Sequence, residues 1–169
     1  MIDGLAADQD LKVIVLTLLI QSKTYTDKDR LREGLEASLA RLHDAGKKVI
    51  IMQPIPTYGF DPINTLARRL ERGLDIDNIG IPRRHFENSM APHRALIQRL
   101  ATQFGLTIFD PTDTFCDGEL CRLFRPEIGV MYFNREHMSL AAGRELEKTL
   151  RPMLGGENLA GSSPATGSG

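Results

Sequence analysis

The sequence predicts a three-layer α/β domain with a mostly parallel sheet. Two apolar segments, residues 12–19 and 48–53, are rich in Val, Ile and Leu, which is typical of strands covered on both faces. Between them, leucines recur at helical spacing through about residue 45, and Gly46 stands where a helix commonly ends. A strand, a helix and a second strand in this order form one βαβ unit, which joins parallel strands through a right-handed crossover.

The rest of the chain repeats this alternation of helices and strands, with Gly and Pro at most of the boundaries. The predicted segments are a short helix that starts at Asp61 and Pro62 and ends at Gly73, a loop at 74–84, a helix at 91–104, a strand at 106–109, a loop at 112–126, an extended segment at 129–133, and a helix at 139–150 that Ser139 caps. In the last helix, Leu140, Leu146 and Leu150 are the predicted buried positions.

Length and composition predict one domain at residues 11–154, after a polar lead-in at 1–10 and before a disordered Gly/Ser-rich tail at 155–169. Lys and Arg number 21 against 22 Asp and Glu, a balance that does not indicate nucleic acid as a partner. No apolar run approaches the ~20 residues that span a bilayer. The acidic start does not match a signal peptide.

Neither a cofactor nor a metal is predicted. The sequence has no Walker motif, no dinucleotide-binding glycine fingerprint and no His-Glu-x-x-His. Cys116 and Cys121 lack the further ligands that a zinc site needs. From their spacing alone, these cysteines are equally compatible with a disulfide and with two free thiols.

His137 is the main candidate for catalysis. It lies in a loop just before the last helix, where it can reach the carboxyl edge of the sheet at which α/β domains form their sites. A serine hydrolase needs such an imidazole as general base, with a carboxylate or amide that orients its second ring nitrogen. Asn134 can supply the amide. On spacing alone, a solvent-facing histidine is the more common explanation, and the wider pattern decides between the two.

That pattern resembles the SGNH domains of bacterial acyltransferases, which are related to GDSL hydrolases. In this family an aromatic residue, an Asp, two variable residues and His-Leu-Ser precede a glycine-containing helix. The corresponding residues here are Tyr132, Asn134, His137, Met138, Ser139 and Gly143. The family's strand ending in Asp-Pro before a Cys pair, and its strand ending in Pro-x-Pro, also match residues 108–121 and 50–56. The resemblance covers about residues 11–153.

The resemblance implies an α/β fold of SGNH (flavodoxin-like) type and acyl-ester chemistry. The reaction would be transfer of an acetyl-like group to a carbohydrate hydroxyl, often of a surface polysaccharide, or removal of that group. His137 would be the general base, oriented by Asn134, with no cofactor. In the family this domain usually follows a membrane acyltransferase domain and lies in the periplasm, which would make a disulfide between Cys116 and Cys121 sensible.

Two departures from the family pattern bear on activity. Asn134 replaces the family's Asp, so it adds no negative charge beside the imidazole. The Gly-Asp-Ser block that carries the nucleophile does not occur, so activity of this chain alone is expected to be impaired. Residues 12–19 match the family's third strand, whose following loop helps form the oxyanion hole. Gln21 and Ser22 are therefore the candidate oxyanion donors.

Three explanations for the missing nucleophile block remain open at this stage. In the first, the chain lacks an N-terminal part of the domain. In the second, a partner chain completes the site, and in the third the domain is a degenerate module that binds a carbohydrate or another protein without catalysis. Whether the chain is an enzyme therefore depends on where its nucleophile comes from.

Overall fold

The computed structural model describes residues 2–18 and 28–155. In these ranges the helices are α1 (Ile2–Ala7), α2 (Lys28–Asp44), α3 (Pro62–Glu71), α4 (Arg83–Phe104), α5 (Thr112–Phe115) and α6 (Leu140–Leu150), followed by a 3₁₀ turn at Arg151–Leu154. The strands are β1 (Val13–Thr17), β2 (Lys48–Met52), β3 (Gly80–Pro82), β4 (Thr107–Phe109), β5 (Leu120–Arg122), β6 (Phe124–Arg125) and β7 (Gly129–Val130). The predicted tail falls almost entirely outside the described residues.

A parallel three-stranded sheet in the order β1-β2-β4 organises the domain. The β1–β2 register runs from Val13 opposite Lys48 to Thr17 opposite Met52. All three strands therefore end at the same edge of the sheet. The predicted α/β class with a parallel sheet is confirmed, and its central strand is the apolar segment that the sequence marks most clearly.

Helices cover both faces of this sheet. Successive side chains of β2 point to opposite faces, and each face packs against a helix. Val49 belongs to a core cluster with Leu39 and Leu42 of α2. Ile50 belongs to a second cluster that includes Leu146 of α6. Each fully buried aliphatic side chain of this kind contributes about 1.5–3 kcal/mol.

The segment predicted as a polar lead-in, residues 1–10, contains helix α1. Its side chains Ile2, Leu5 and Ala6 pack against the cluster around Leu39 and Leu42. A six-residue helix is too short to show a clear hydrophobic period in a sequence. The packing against α2 stabilises α1 where helix propensity alone would not.

Helix α4 begins at Arg83, eight residues before the predicted start, and carries Pro92 inside it. A proline in a helix interior removes a hydrogen bond and costs about 3 kcal/mol in general. Burial of Phe86 and Met90, which are 1% and 2% exposed, offsets this cost. The predicted loop at residues 74–84 also contains β3, which pairs antiparallel with β5.

Other local predictions differ from the structure for related reasons. The predicted loop at residues 112–126 contains α5, β5 and β6, which are elements of two to four residues. Leu140 was a predicted buried position but is 74% exposed. It lies six residues before the buried Leu146, which places the two side chains about 120° apart around the helix, so the face that buries Leu146 leaves Leu140 toward solvent.

Asp117 organises the turn that enters β5. Its Oδ1 accepts hydrogen bonds from the backbone N–H groups of Glu119 and Leu120 at 2.9 and 2.8 Å. Its Oδ2 accepts one from Nε of Arg122 at 2.5 Å. The backbone donors, followed by Arg122, lower the pKa of Asp117 to about 2.

We expect this carboxylate to make the protein sensitive to acid. A folded-state pKa below the unfolded value of about 3.9 gives stability that is complete above pH 4 and lost between about pH 4 and pH 2. Asp117→Asn keeps the two backbone acceptor contacts but cannot titrate. Urea unfolding at pH 5 and pH 2 should therefore show a smaller loss of stability for the variant. Equal losses would contradict this role.

Candidate functional site

A cleft of about 290 Å³ opens at the edge of the sheet where β1 and β2 end. It is lined by Thr17, Leu18, Met52, Gln53, Pro54, Ile55, Thr57, Glu136, His137 and Met138. The loop before α6 therefore meets the carboxyl ends of two parallel strands, and His137 lies on the cleft wall. The resulting site has a largely apolar lining with a few polar groups, as is usual for small-molecule sites.

Asn134 and His137 form a hydrogen-bonded pair. Oδ1 of Asn134 accepts from the backbone N–H groups of Glu136 and His137 at 3.0 and 2.9 Å, which identifies that atom as the amide oxygen. Nδ1 of His137 lies 3.0 Å from the same oxygen. Since an oxygen can only accept, Nδ1 carries the proton in the neutral ring. Nε2 is then left unprotonated, which is the state that a general base requires.

Backbone contacts hold this loop at both ends. The N–H of Phe133 donates to the carbonyl of His137 at 2.9 Å, closing the loop on itself. The N–H of Tyr58 donates to the carbonyl of Arg135 at 3.0 Å, tying the loop to the segment after β2. Ser139 caps α6 by accepting from the N–H of Ala142 at 3.1 Å. These hydrogen bonds therefore fix the position of the loop that carries the imidazole of His137.

Two buried tyrosines lie beneath the loop. The rings of Tyr58 and Tyr132 meet edge to face, with centroids 4.8 Å apart. The hydroxyl of Tyr58 donates to the carbonyl of Cys121 at 3.1 Å. Burial raises the pKa of Tyr58 well above its usual range, so this hydroxyl remains a donor at ordinary pH. No feature of the sequence singled out Tyr58 for this supporting role.

Cys116 and Cys121 form a disulfide with an S–S distance of 2.04 Å. Both residues are buried, at 1% and 0% exposure. The bond joins the end of α5 to β5, and the carbonyl of Cys121 receives the Tyr58 hydroxyl. The disulfide therefore stabilises the segment that contacts Tyr58 beneath the histidine loop. Because both cysteines are in the bond, neither is a free thiol.

Serines in the described ranges do not reach the cleft. Each hydroxyl donates to a backbone carbonyl: Ser38 to Gly34, Ser89 to Phe86 and Ser139 to Val130. Gln21 and Ser22, the candidate oxyanion donors, lie outside the described residues. Within residues 2–18 and 28–155, the cleft is thus lined by His137 but by no serine.

Gln53 is a cleft residue that the sequence did not mark as functional. It is 5% exposed, and its Oε1 has no hydrogen-bond partner among the residues that the structure describes. The only hint in the sequence is a polar residue at the end of the apolar run 49–52, directly before Pro54.

Within residues 2–18 and 28–155, no three His, Cys, Asp or Glu side chains are grouped so that they could hold a metal ion. No helix of that part of the chain is long and apolar enough to cross a membrane.

One solved structure shares this arrangement of helices and strands. It is the periplasmic domain of the lipopolysaccharide acetyltransferase of Salmonella ser. Paratyphi A, with a TM-score of 0.64 and 11% sequence identity over 85% of this chain. The chain spans 56% of the length of that domain. At this identity the likeness shows a common fold.

Comparison with curated protein sequences finds no significant match. The family model described as the SGNH domain fused to AT3 domains matches residues 1–152, which is most of the chain. The match includes the strands that form the cleft, the Asn134–His137 pair and the helix that follows it. The chain therefore belongs to the family of SGNH domains that are fused to AT3 domains.

Proposed function

We propose that this domain takes part in acyl-ester chemistry, in which an acetyl-like group is transferred to a carbohydrate hydroxyl or removed from it. The observation that carries the proposal is the Asn134–His137 pair on the wall of the cleft. Its hydrogen bond at 3.0 Å leaves Nε2 of the imidazole available as a base.

In the proposed step, the oxygen of an attacking hydroxyl bonds to the acyl carbonyl carbon while its proton passes to Nε2 of His137. The tetrahedral intermediate then breaks its bond to the alcohol portion of the original ester. The oxygen of this leaving group takes the proton from the imidazolium of His137. Asn134 keeps Nδ1 as a donor throughout. Because its amide is neutral, it stabilises the transient imidazolium less than a carboxylate would.

The proposed acyl-carrying nucleophile is a serine outside the described residues, since Ser38, Ser89 and Ser139 are engaged elsewhere. Turnover by this chain alone is accordingly proposed to be impaired. Gln21 and Ser22 stay the proposed oxyanion donors, because they follow β1 at the edge of the sheet where the cleft opens.

The cellular setting of this activity is also a proposal. The family is one of domains fused to AT3 domains, and the similar Salmonella domain is periplasmic and belongs to a lipopolysaccharide acetyltransferase. These relationships support a membrane acyltransferase domain as partner, a polysaccharide as acceptor, and a periplasmic or membrane-associated location.

A second candidate function is a non-catalytic module that binds carbohydrate. It is favoured by one observation, the lack of a serine in the described part of the cleft. The two functions differ in one measurable respect. If the domain is only a binding module, it should hydrolyse an activated ester no faster than the background reaction of exposed histidine side chains.

Substitution of the orienting amide tests the catalytic proposal. Asn134→Asp keeps an oxygen that accepts from both backbone N–H groups and from Nδ1, and it adds a negative charge beside the imidazole. In a serine protease the reverse change lowers the rate ~10⁴-fold, so we expect p-nitrophenyl acetate turnover to rise on the order of tenfold or more. Asn134→Ala should lower turnover, because the ring loses its fixed tautomer. Identical rates in all three proteins would favour the module.

A further inference from the structure

The described core has two buried polar residues, Gln53 and Thr112. Thr112 has a structural role, since its hydroxyl bonds to Oδ1 of Asp110 and receives a hydrogen bond from Arg94. Gln53 differs. Its backbone N–H continues the sheet by donating to the carbonyl of Phe109 at 2.8 Å, but its side-chain oxygen has no partner.

An unpaired amide oxygen in a protein interior is unfavourable by about 1–3 kcal/mol. Methionine is nearly the same size and would carry no such penalty at this position. Departures of this kind from good packing chemistry tend to occur at functional sites, where stability is given up for binding. Gln53 lines the same cleft as His137, so the cleft is the place to look for its partner.

The chemistry of the oxygen limits what that partner can be. An amide oxygen only accepts hydrogen bonds. The carbonyl and ether oxygens of an acyl ester also only accept, so they cannot satisfy it. A hydroxyl group can satisfy it. Beside apolar lining residues such as Leu18, Ile55 and Met138, a polar group of this kind would help to fix the orientation of a bound molecule.

We propose that Gln53 is the residue that recognises the hydroxylated acceptor: its buried side-chain amide turns toward the cleft, and Oε1 accepts a hydrogen bond from a sugar hydroxyl bound there. This inference rests on the proposed function for the identity of the acceptor as a carbohydrate. It adds a specificity-determining residue directly after β2, separate from the proposed base on the loop before α6, and it assigns the amide to the acceptor and not to the acyl group.

Gln53→Met tests this role, with Gln103→Met as the matched control because Gln103 is exposed on α4 and does not line the cleft. The probe is methyl α-D-glucopyranoside, titrated into the 169-residue chain and followed by backbone amide NMR shifts. We expect the dissociation constant to rise about tenfold or more in Gln53→Met and to be unchanged in Gln103→Met. Urea unfolding should show that Gln53→Met is as stable as the wild type or more so.

Three results would overturn the inference: no binding of the glycoside by the wild type, equal binding by wild type and Gln53→Met, or a loss of stability in Gln53→Met that marks the amide as structural. A kinetic measurement then separates acceptor from acyl recognition. With p-nitrophenyl acetate as donor, Gln53→Met should lower transfer to the glycoside by a larger factor than it lowers hydrolysis. Equal loss of both would assign the amide to the acyl group and contradict the proposal.

Binding is measured without catalysis, so the two proposals fail separately. If turnover does not depend on His137 but the glycoside still binds through Gln53, the catalytic proposal fails and acceptor recognition stands. If turnover depends on His137 and Gln53→Met changes neither binding nor transfer, the assignment of Gln53 fails and the catalytic proposal stands.

Discussion

Removal of the imidazole by His137→Ala should lower the rate of p-nitrophenyl acetate turnover by about 10²–10³-fold in a protein that includes the proposed serine nucleophile, and by a smaller factor in this chain alone, whose turnover is proposed to be impaired. A positioned general base contributes a factor of this order, because it takes the proton of the attacking hydroxyl as the new bond forms. The hydrogen bond of Nδ1 to Asn134 at 3.0 Å supplies the positioning and the tautomer. No other histidine lines this cleft.

The control for this measurement is His85→Ala. His85 is an exposed histidine near the start of α4. Its substitution therefore measures how much a surface imidazole contributes to nonspecific hydrolysis of the activated ester. We expect this variant to keep the wild-type rate. If His137→Ala and His85→Ala both turn over the ester as fast as wild type, catalysis by this chain is excluded and the binding module is the better account.

A continuous run of apolar residues and a helical repeat of leucines made the central part of this fold predictable. All four apolar residues 49–52 of β2 are buried, and so are two of the leucines of α2, Leu39 and Leu42, so pattern and packing agree. The pair of Asn134 and His137 was predictable for a different reason. The resemblance to the SGNH motif indicated an orienting residue three positions before the histidine, whereas spacing alone favoured a histidine that faces solvent.

Features that depend on tertiary packing were not predictable. The first half of α4 forms despite Pro92 because Phe86 and Met90 are buried by other elements. Strands β3 and β5 have three residues each and pair across about 40 positions of sequence. The role of Gln53 was not predictable either, because the environment of its side-chain oxygen depends on how the segments around the cleft pack together. Local sequence carries little information about any of these.

Gly80→Ala should produce the largest loss of stability among the single substitutions considered for this protein. Strand β3 runs so close to β5 that a Cβ at position 80 would overlap the carbonyl oxygen of Cys121 and lie 2.7 Å from its carbonyl carbon. Backbone atoms cannot rotate away as a side chain can. The two strands must separate, and we expect the free energy of unfolding to fall by about 3 kcal/mol or more.

The same substitution should also reach the proposed site, because the carbonyl oxygen of Cys121 accepts the hydrogen bond of Tyr58, and the backbone of Tyr58 holds the loop of His137. Turnover should therefore fall in Gly80→Ala even under conditions where most of the protein is folded. Gly118→Ala is the matched control, since Gly118 lies in the turn that leads into β5 and a Cβ there meets open space. Its stability should stay within about 0.5 kcal/mol of wild type. Urea unfolding that gives equal stabilities for the two variants would show that β3 and β5 do not approach as closely as described, and would remove the link from this pair of strands to the imidazole.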